Sequence, residues 1–182
     1  MAGETIMALI KINNQSLTNV TALPAVVNNA GGISFARLTY ELASGSTSGD
    51  AVSGSYLTYP INTENSDADN IVTLSGNRFT LGAGDYVIRY NASFYKCGTA
   101  SLVLRDITNS ANVSHSIGCY VTTSTSSTVT CTGSHFANIS SSTVYELQYQ
   151  VSNGKTGNGF GVAQSITGDN ERWGEVVIEK IL

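Results

Sequence analysis

Charge is scarce in this chain. Nine Lys and Arg stand against thirteen Asp and Glu in 182 residues, for a net charge of −4, and the basic residues are spread thinly. A nucleic-acid partner demands a basic stripe that replaces phosphate counterions, so none is expected. Long hydrophobic runs are missing as well. No run approaches the ~20 apolar residues that span a bilayer, so no membrane insertion is expected. The opening, MAGETIMALIKINNQSLTNV, lacks a charged n-region followed by an apolar stretch and a small-residue cleavage site, which predicts no secretory signal. On that expectation the five Asn-x-Ser/Thr triplets, at Asn14, Asn19, Asn91, Asn112 and Asn138, are read as accidents of composition.

Catalytic groups are equally few. His115 and His135 are the only histidines, both within Ser/Thr-rich segments, and no carboxylate stands at a fixed spacing from either. A general base needs such a partner to orient it, so structural roles are expected for both. No G-x-S-x-G, H-E-x-x-H or C-x-x-C occurs. GKTGNGFG has the look of half a phosphate loop but lacks the full spacing and a following helix, so it reads as a turn. Asp67 and Asp69 in NSDADN, and Asp169 and Glu171 in GDNE, could offer oxygens to Ca²⁺. Neither loop matches a calcium motif, and solvated acidic turns are the reading preferred. No enzyme, cofactor or metal site is therefore expected. The three cysteines, Cys97, Cys119 and Cys131, share no ligand spacing and read as buried thiols. A Cys119–Cys131 bridge is the alternative in an oxidising compartment.

What the chain does have is alternation. From Ile33 onward the hydrophobic period is two: Ala36, Leu38, Tyr40 and Leu42 share one face, with Arg37, Thr39 and Glu41 opposite. In DYVIRYNASFYKC, Tyr86, Ile88, Tyr90, Ala92 and Phe94 lie on one face and Arg89, Asn91 and Ser93 on the other. IVTLSGNRFTL, SLVLRDI, SHSIGCYV, STVTCTGSHF, VYELQYQV, GFGVA and WGEVVIEKIL continue the pattern. Gly, Asn and Ser punctuate these runs at hairpin spacing, and no window sustains a helical period. The prediction is all-β: a jelly-roll sandwich of about eight to ten antiparallel strands over 33–182. Residues 1–32 lack a clear period and are expected to form an N-terminal arm or docking segment. Nine tyrosines exceed what a small core easily satisfies, so some are expected at an interface.

The order RFTLGAGDYVIRYNASFY is similar to the F-x-L-x-x-G-x-Y segment of C1q/tumour-necrosis-factor-like jelly rolls, carried here by Phe79, Leu81, Gly84 and Tyr86. YELQYQ (Tyr145 to Gln150), GFGVA (Gly159 to Ala163) and VVIEKI (Val176 to Ile181) resemble the closing segments of such domains in bacteriophage fibre and virion-surface proteins. MALIKINNQSLTNVTALP, from Met7, resembles the starts of phage structural proteins. The likeness covers the C-terminal two-thirds well and the first twenty-odd residues loosely. CGTASLVLRDITNSANVSH follows the fibre pattern only roughly.

The resemblance implies a homotrimer around a three-fold axis, with Tyr86, Tyr90, Phe94 and Trp173 as candidates for trimer core or axis. It implies a non-enzymatic virion structural protein at the particle surface, assembled in the host cytoplasm. Capsid or tail proteins would be its partners through residues 1–32, with a host surface protein or glycan as a further one. An extended arm of that length reaches on the order of 100 Å, and no fibrous shaft precedes the domain, which favours capsid decoration or head fibre. The alternatives are a tail-fibre receptor-binding knob and a free C1q-like ligand-binding module.

Overall fold

The structure, a computed structural model, describes residues 32–165 and 168–181. The expected arm therefore lies outside the described residues, except Gly32.

The described residues contain strands and no helix. In chain order these are β1 (Ile33–Leu42), β2 (Leu57–Thr58), β3 (Thr63–Asp67), β4 (Val72–Ser75), β5 (Arg78–Leu81), β6 (Gly84–Tyr95), β7 (Gly98–Asp106), β8 (Ala111–His115), β9 (Cys119–Val121), β10 (Thr128–Ile139), β11 (Thr143–Val151) and β12 (Glu171–Ile181). They form two antiparallel sheets. One runs β10-β6-β12-β1-β3; the other runs β4-β5-β11-β7-β8, with β2 added to β11 and β9 to β7. The result is a jelly-roll sandwich.

Twelve strands exceed the eight to ten expected, because backbone turns divide runs that read as continuous. IVTLSGNRFTL folds back on itself as the β4–β5 hairpin, with Val72 opposite Leu81 and Ser75 opposite Arg78. Gly76 and Asn77 both take positive φ, 59° and 64°, which matches a two-residue turn to the strand twist. SHSIGCYV likewise splits into β8 and β9. GFGVA is no strand at all: Gly159 to Ala163 is a turn and irregular chain leading into β12. Gly161, at φ 146°, crosses close to the Trp173 indole, where a Cβ would lie 2.4 Å from the ring.

Alternation places the core as the sequence predicts. Tyr86, Ile88, Tyr90, Ala92 and Phe94 of β6 are all buried, as are Ala36, Leu38 and Tyr40 of β1. They meet Leu102, Leu104, Leu147 and Tyr149 from the opposite sheet. Each fully buried large apolar side chain contributes roughly 1.5–3 kcal/mol relative to exposure. At one end Tyr40, Tyr59, Phe94, Tyr149, Phe160 and Trp173 form a cluster of mostly edge-to-face rings, with Phe160 inserted from the GFG turn.

Candidate interaction surface

Tyr86, Tyr90, Phe94 and Trp173 come together inside a single chain, each exposed by no more than 7%. A side chain buried between the two sheets cannot also face a symmetry axis. Six of the nine tyrosines are inside, and the fold supplies several of their hydroxyls with partners. Tyr40 donates to the Ser48 carbonyl at 2.7 Å, Tyr59 to the Trp173 carbonyl at 2.9 Å, and Tyr90 to Ser114 Oγ at 2.9 Å. Tyr149 Oη accepts from the Val52 amide at 3.1 Å. Tyr120 is left on the surface, 70% exposed.

The histidines do not pair. His115 is exposed and lies beside Tyr56, whereas His135 is half-buried on β10. Burial lowers the pKa of His135, against the opposing charge of Asp106. The Asp106 carboxylate itself caps the β7–β8 turn, accepting the Asn109 amide at 2.9 Å and Asn109 Nδ2 at 2.8 Å.

The acidic loops are turn staples as well. Asp67 accepts the amides of Ile71 and Val72, both at 2.9 Å. Glu171 accepts amides from Gly45, Gln164 and Ser165, and these hold its carboxyl below the usual range. Among the described residues no group of three or more His, Cys, Asp or Glu could hold a metal ion. In GKTGNGFG, Gly157 donates its amide to the Asp50 carboxylate at 2.6 Å, so an acidic side chain sits against the loop where an anion would be needed.

What the fold leaves uncovered is the outward side of the five-stranded sheet. Its register sets Phe136, Val87, Glu179 and Phe35 in one row, and Ser134, Arg89, Val177 and Arg37 in the next. Ile33 and Ile181 pair at its end. Phe35 is 46% exposed, Phe136 60%, Ile33 65% and Ile181 44%. The charges between them are matched on the spot. Arg37 bonds Glu175 at 2.8 Å, Asn91 Nδ2 adds a bond to the same carboxylate at 2.9 Å, and Arg89 pairs with Glu179. The charges on this face are paired with one another, so covering it would bury no ion without a partner, while each pair would give up its hydration.

The apolar face continues past β10, where the chain between β8 and β9 brings Ile117 into one groove with Arg89 and Val177. Ile117 is 74% exposed there, and its amide donates to the Thr132 carbonyl of β10 at 2.9 Å. Tyr120 follows three residues on. Neither group of residues was singled out from the sequence. The available signal was an apolar residue at a polar-face position: Phe35 beside Arg37 and Thr39, and Val87 beside Arg89 and Asn91.

By sequence, no protein-family model and no curated protein matches the chain. By structure, murine APRIL at pH 5.0 superposes with a TM-score of 0.54 at 8% identity, covering 82% of this chain and 99% of that one. Murine APRIL at pH 8.5 gives 0.51 at 9% identity, over the same shares of both chains. The fold is a C1q/TNF-like jelly roll. The PRD1 vertex protein P5 also matches, at a TM-score of 0.48 and 16% identity over 84% of this chain and 100% of that one, too loosely to bear on function.

Proposed function

We propose that this jelly roll is a non-enzymatic virion-surface protein, a homotrimeric knob held on the particle through residues 1–32, most simply as capsid decoration or head fibre. One observation carries the oligomer: the outward face of the five-stranded sheet is apolar around Phe35, Phe136 and Val177 and continues past β10 to Ile117, which lines one groove with Arg89 and Val177. Two ends of such a face that complement each other make a heterologous contact, which closes into a ring where the rotation between copies allows. Three copies suit the fold, since C1q/TNF-like jelly rolls are trimeric.

The virion placement is supported by the sequence resemblance of YELQYQ, GFGVA, VVIEKI and the opening from Met7. Sedimentation velocity at micromolar concentration tests the trimer: the expected species is three times the 19.1 kDa chain, and a monomer overturns it. Deleting residues 1–32 tests the anchor. The truncated chain is expected to keep its oligomeric state and to lose particle binding; undiminished binding would show the arm is not the anchor.

A further inference from the structure

We propose that Cys119 and Cys131 form a reversible intrachain disulfide that staples the two sheets together at the open edge of the sandwich. Cys119 lies on β9, opposite Ala100 of β7 in the seven-stranded sheet; Cys131 lies on β10, the edge strand of the other sheet. Their thiols enter the same gap from its two sides. Cys119 Sγ donates to the carbonyl of Thr130, the residue before Cys131, at 3.2 Å. Cys131 Sγ donates to the carbonyl of Ala100, the register partner of Cys119, at 3.4 Å. Cys97 is placed differently, its thiol bonded to the carbonyls of Tyr95 and Gly159.

Access sets the order of the chemistry. Cys119 is half-buried in the wall of a groove of about 780 Å³, beside Thr99, Ser101, Gly118 and Tyr120, while Cys131 is fully buried behind it. The oxidant is a small-molecule disulfide such as oxidised glutathione. The Cys119 thiolate attacks one of its sulfurs, forming a mixed disulfide and expelling one thiolate. Cys131, on losing its proton, attacks Cys119 Sγ and expels the second. Two protein thiols and one disulfide become one protein disulfide and two small thiols. Burial pushes the Cys131 thiol well up, so the second step limits the rate and quickens as pH rises. The link closes the stretch from 119 to 131 and restricts the unfolded chain.

The whole chain, incubated with oxidised glutathione and then unfolded in an alkylating reagent, is expected to show one alkylated thiol of three. Peptide mapping should join Cys119 to Cys131, and the melting temperature should rise on the order of 5–10 °C, reversed by dithiothreitol. Cys97→Ser should form the same link, and Cys119→Ser should not. Three alkylated thiols, glutathione left attached to Cys119, or a link between chains would each overturn the staple. The mapping reads one chain at a time, so its outcome is independent of whether the trimer forms.

Discussion

Gly133 on β10 faces Tyr90 of β6 in register, and a Cβ there would lie 2.3 Å from the ring carbon that bears the hydroxyl. The missing side chain lets the phenol pass β10 and reach Ser114 Oγ. Gly133→Ala is expected to force the ring aside and to cost about 1–3 kcal/mol in urea unfolding; an unchanged midpoint would show that the ring has room. Carboxylates make a second residue-scale expectation. The Arg172 guanidinium, with Asn170 and Asn65 also donating, holds Glu41 at about 2 despite the upward push of burial. For Glu146 burial pushes upward, but hydrogen bonds from Gln148, Arg78 and Thr58 outweigh it and leave the group below its usual range. The unfolded chain titrates these groups near ~4.3. Their contribution is therefore complete above that pH and is lost as pH falls from there toward 2. Melting temperature is expected to be level from pH 7 to 5 and to fall steeply below 4, less steeply in Arg172→Gln. A profile flat down to pH 2 would contradict the assignment.

Among the elements, the GFG turn departs furthest from its sequence pattern. Its Gly-flanked Phe160 reads as the centre of a short strand, yet the ring is only 3% exposed and touches Tyr40, Tyr59, Phe94 and Tyr149. Two loops hold it there: the Phe160 amide donates to Ser48 Oγ at 3.0 Å, the Gly159 amide donates to the Gly49 carbonyl, and the Gly49 amide donates to the Gly157 carbonyl. Phe160→Ala should cost about 3–5 kcal/mol, because the cavity opens among rings too rigid to collapse into it. Thermal unfolding measures this, and a loss below 1 kcal/mol would mean that the turn is not a plug. Periodicity made β1 and β6 legible, since a long strand with one buried face must alternate. It was silent on the turn, where burial comes from rings as far off in the chain as Tyr40 and Tyr59.

At the scale of the molecule, the proposed trimer would join the Phe35 end of the apolar face on one copy to its Ile117 end on the next. Phe35→Asp on the sheet face and Ile117→Asp on the edge are each expected to give folded monomers, because each destroys one half of the same heterologous contact. Mixed in equal amounts, the two variants retain one intact pair of surfaces between them. The expected product is a 1:1 heterodimer that cannot close, seen by native mass spectrometry. A self-matched contact would behave differently, leaving one variant able to associate with itself and no heterodimer. Among the described residues no buried side-chain nitrogen or oxygen lacks a hydrogen-bond partner. Loss of association should therefore leave the sandwich itself intact, and the melting temperature of the monomers reports on that directly.

The sequence by itself determined the fold class and the inward face of the long strands, because a two-residue period commits alternate side chains to one side of a sheet. It also carried the resemblance to C1q/TNF-like jelly rolls, through Phe79, Leu81, Gly84 and Tyr86. Only the tertiary structure decided what those inward residues are for. Tyr86, Tyr90, Phe94 and Trp173 fill one chain's interior, and Phe35, Val87 and Val177 are left on the open face instead. Period alone cannot make that distinction, since a face covered by the opposite sheet and a face covered by another subunit both call for apolar side chains. The sequence could offer a Cys119–Cys131 bridge only as an alternative, because the approach of the two residues depends on two sheets closing over each other.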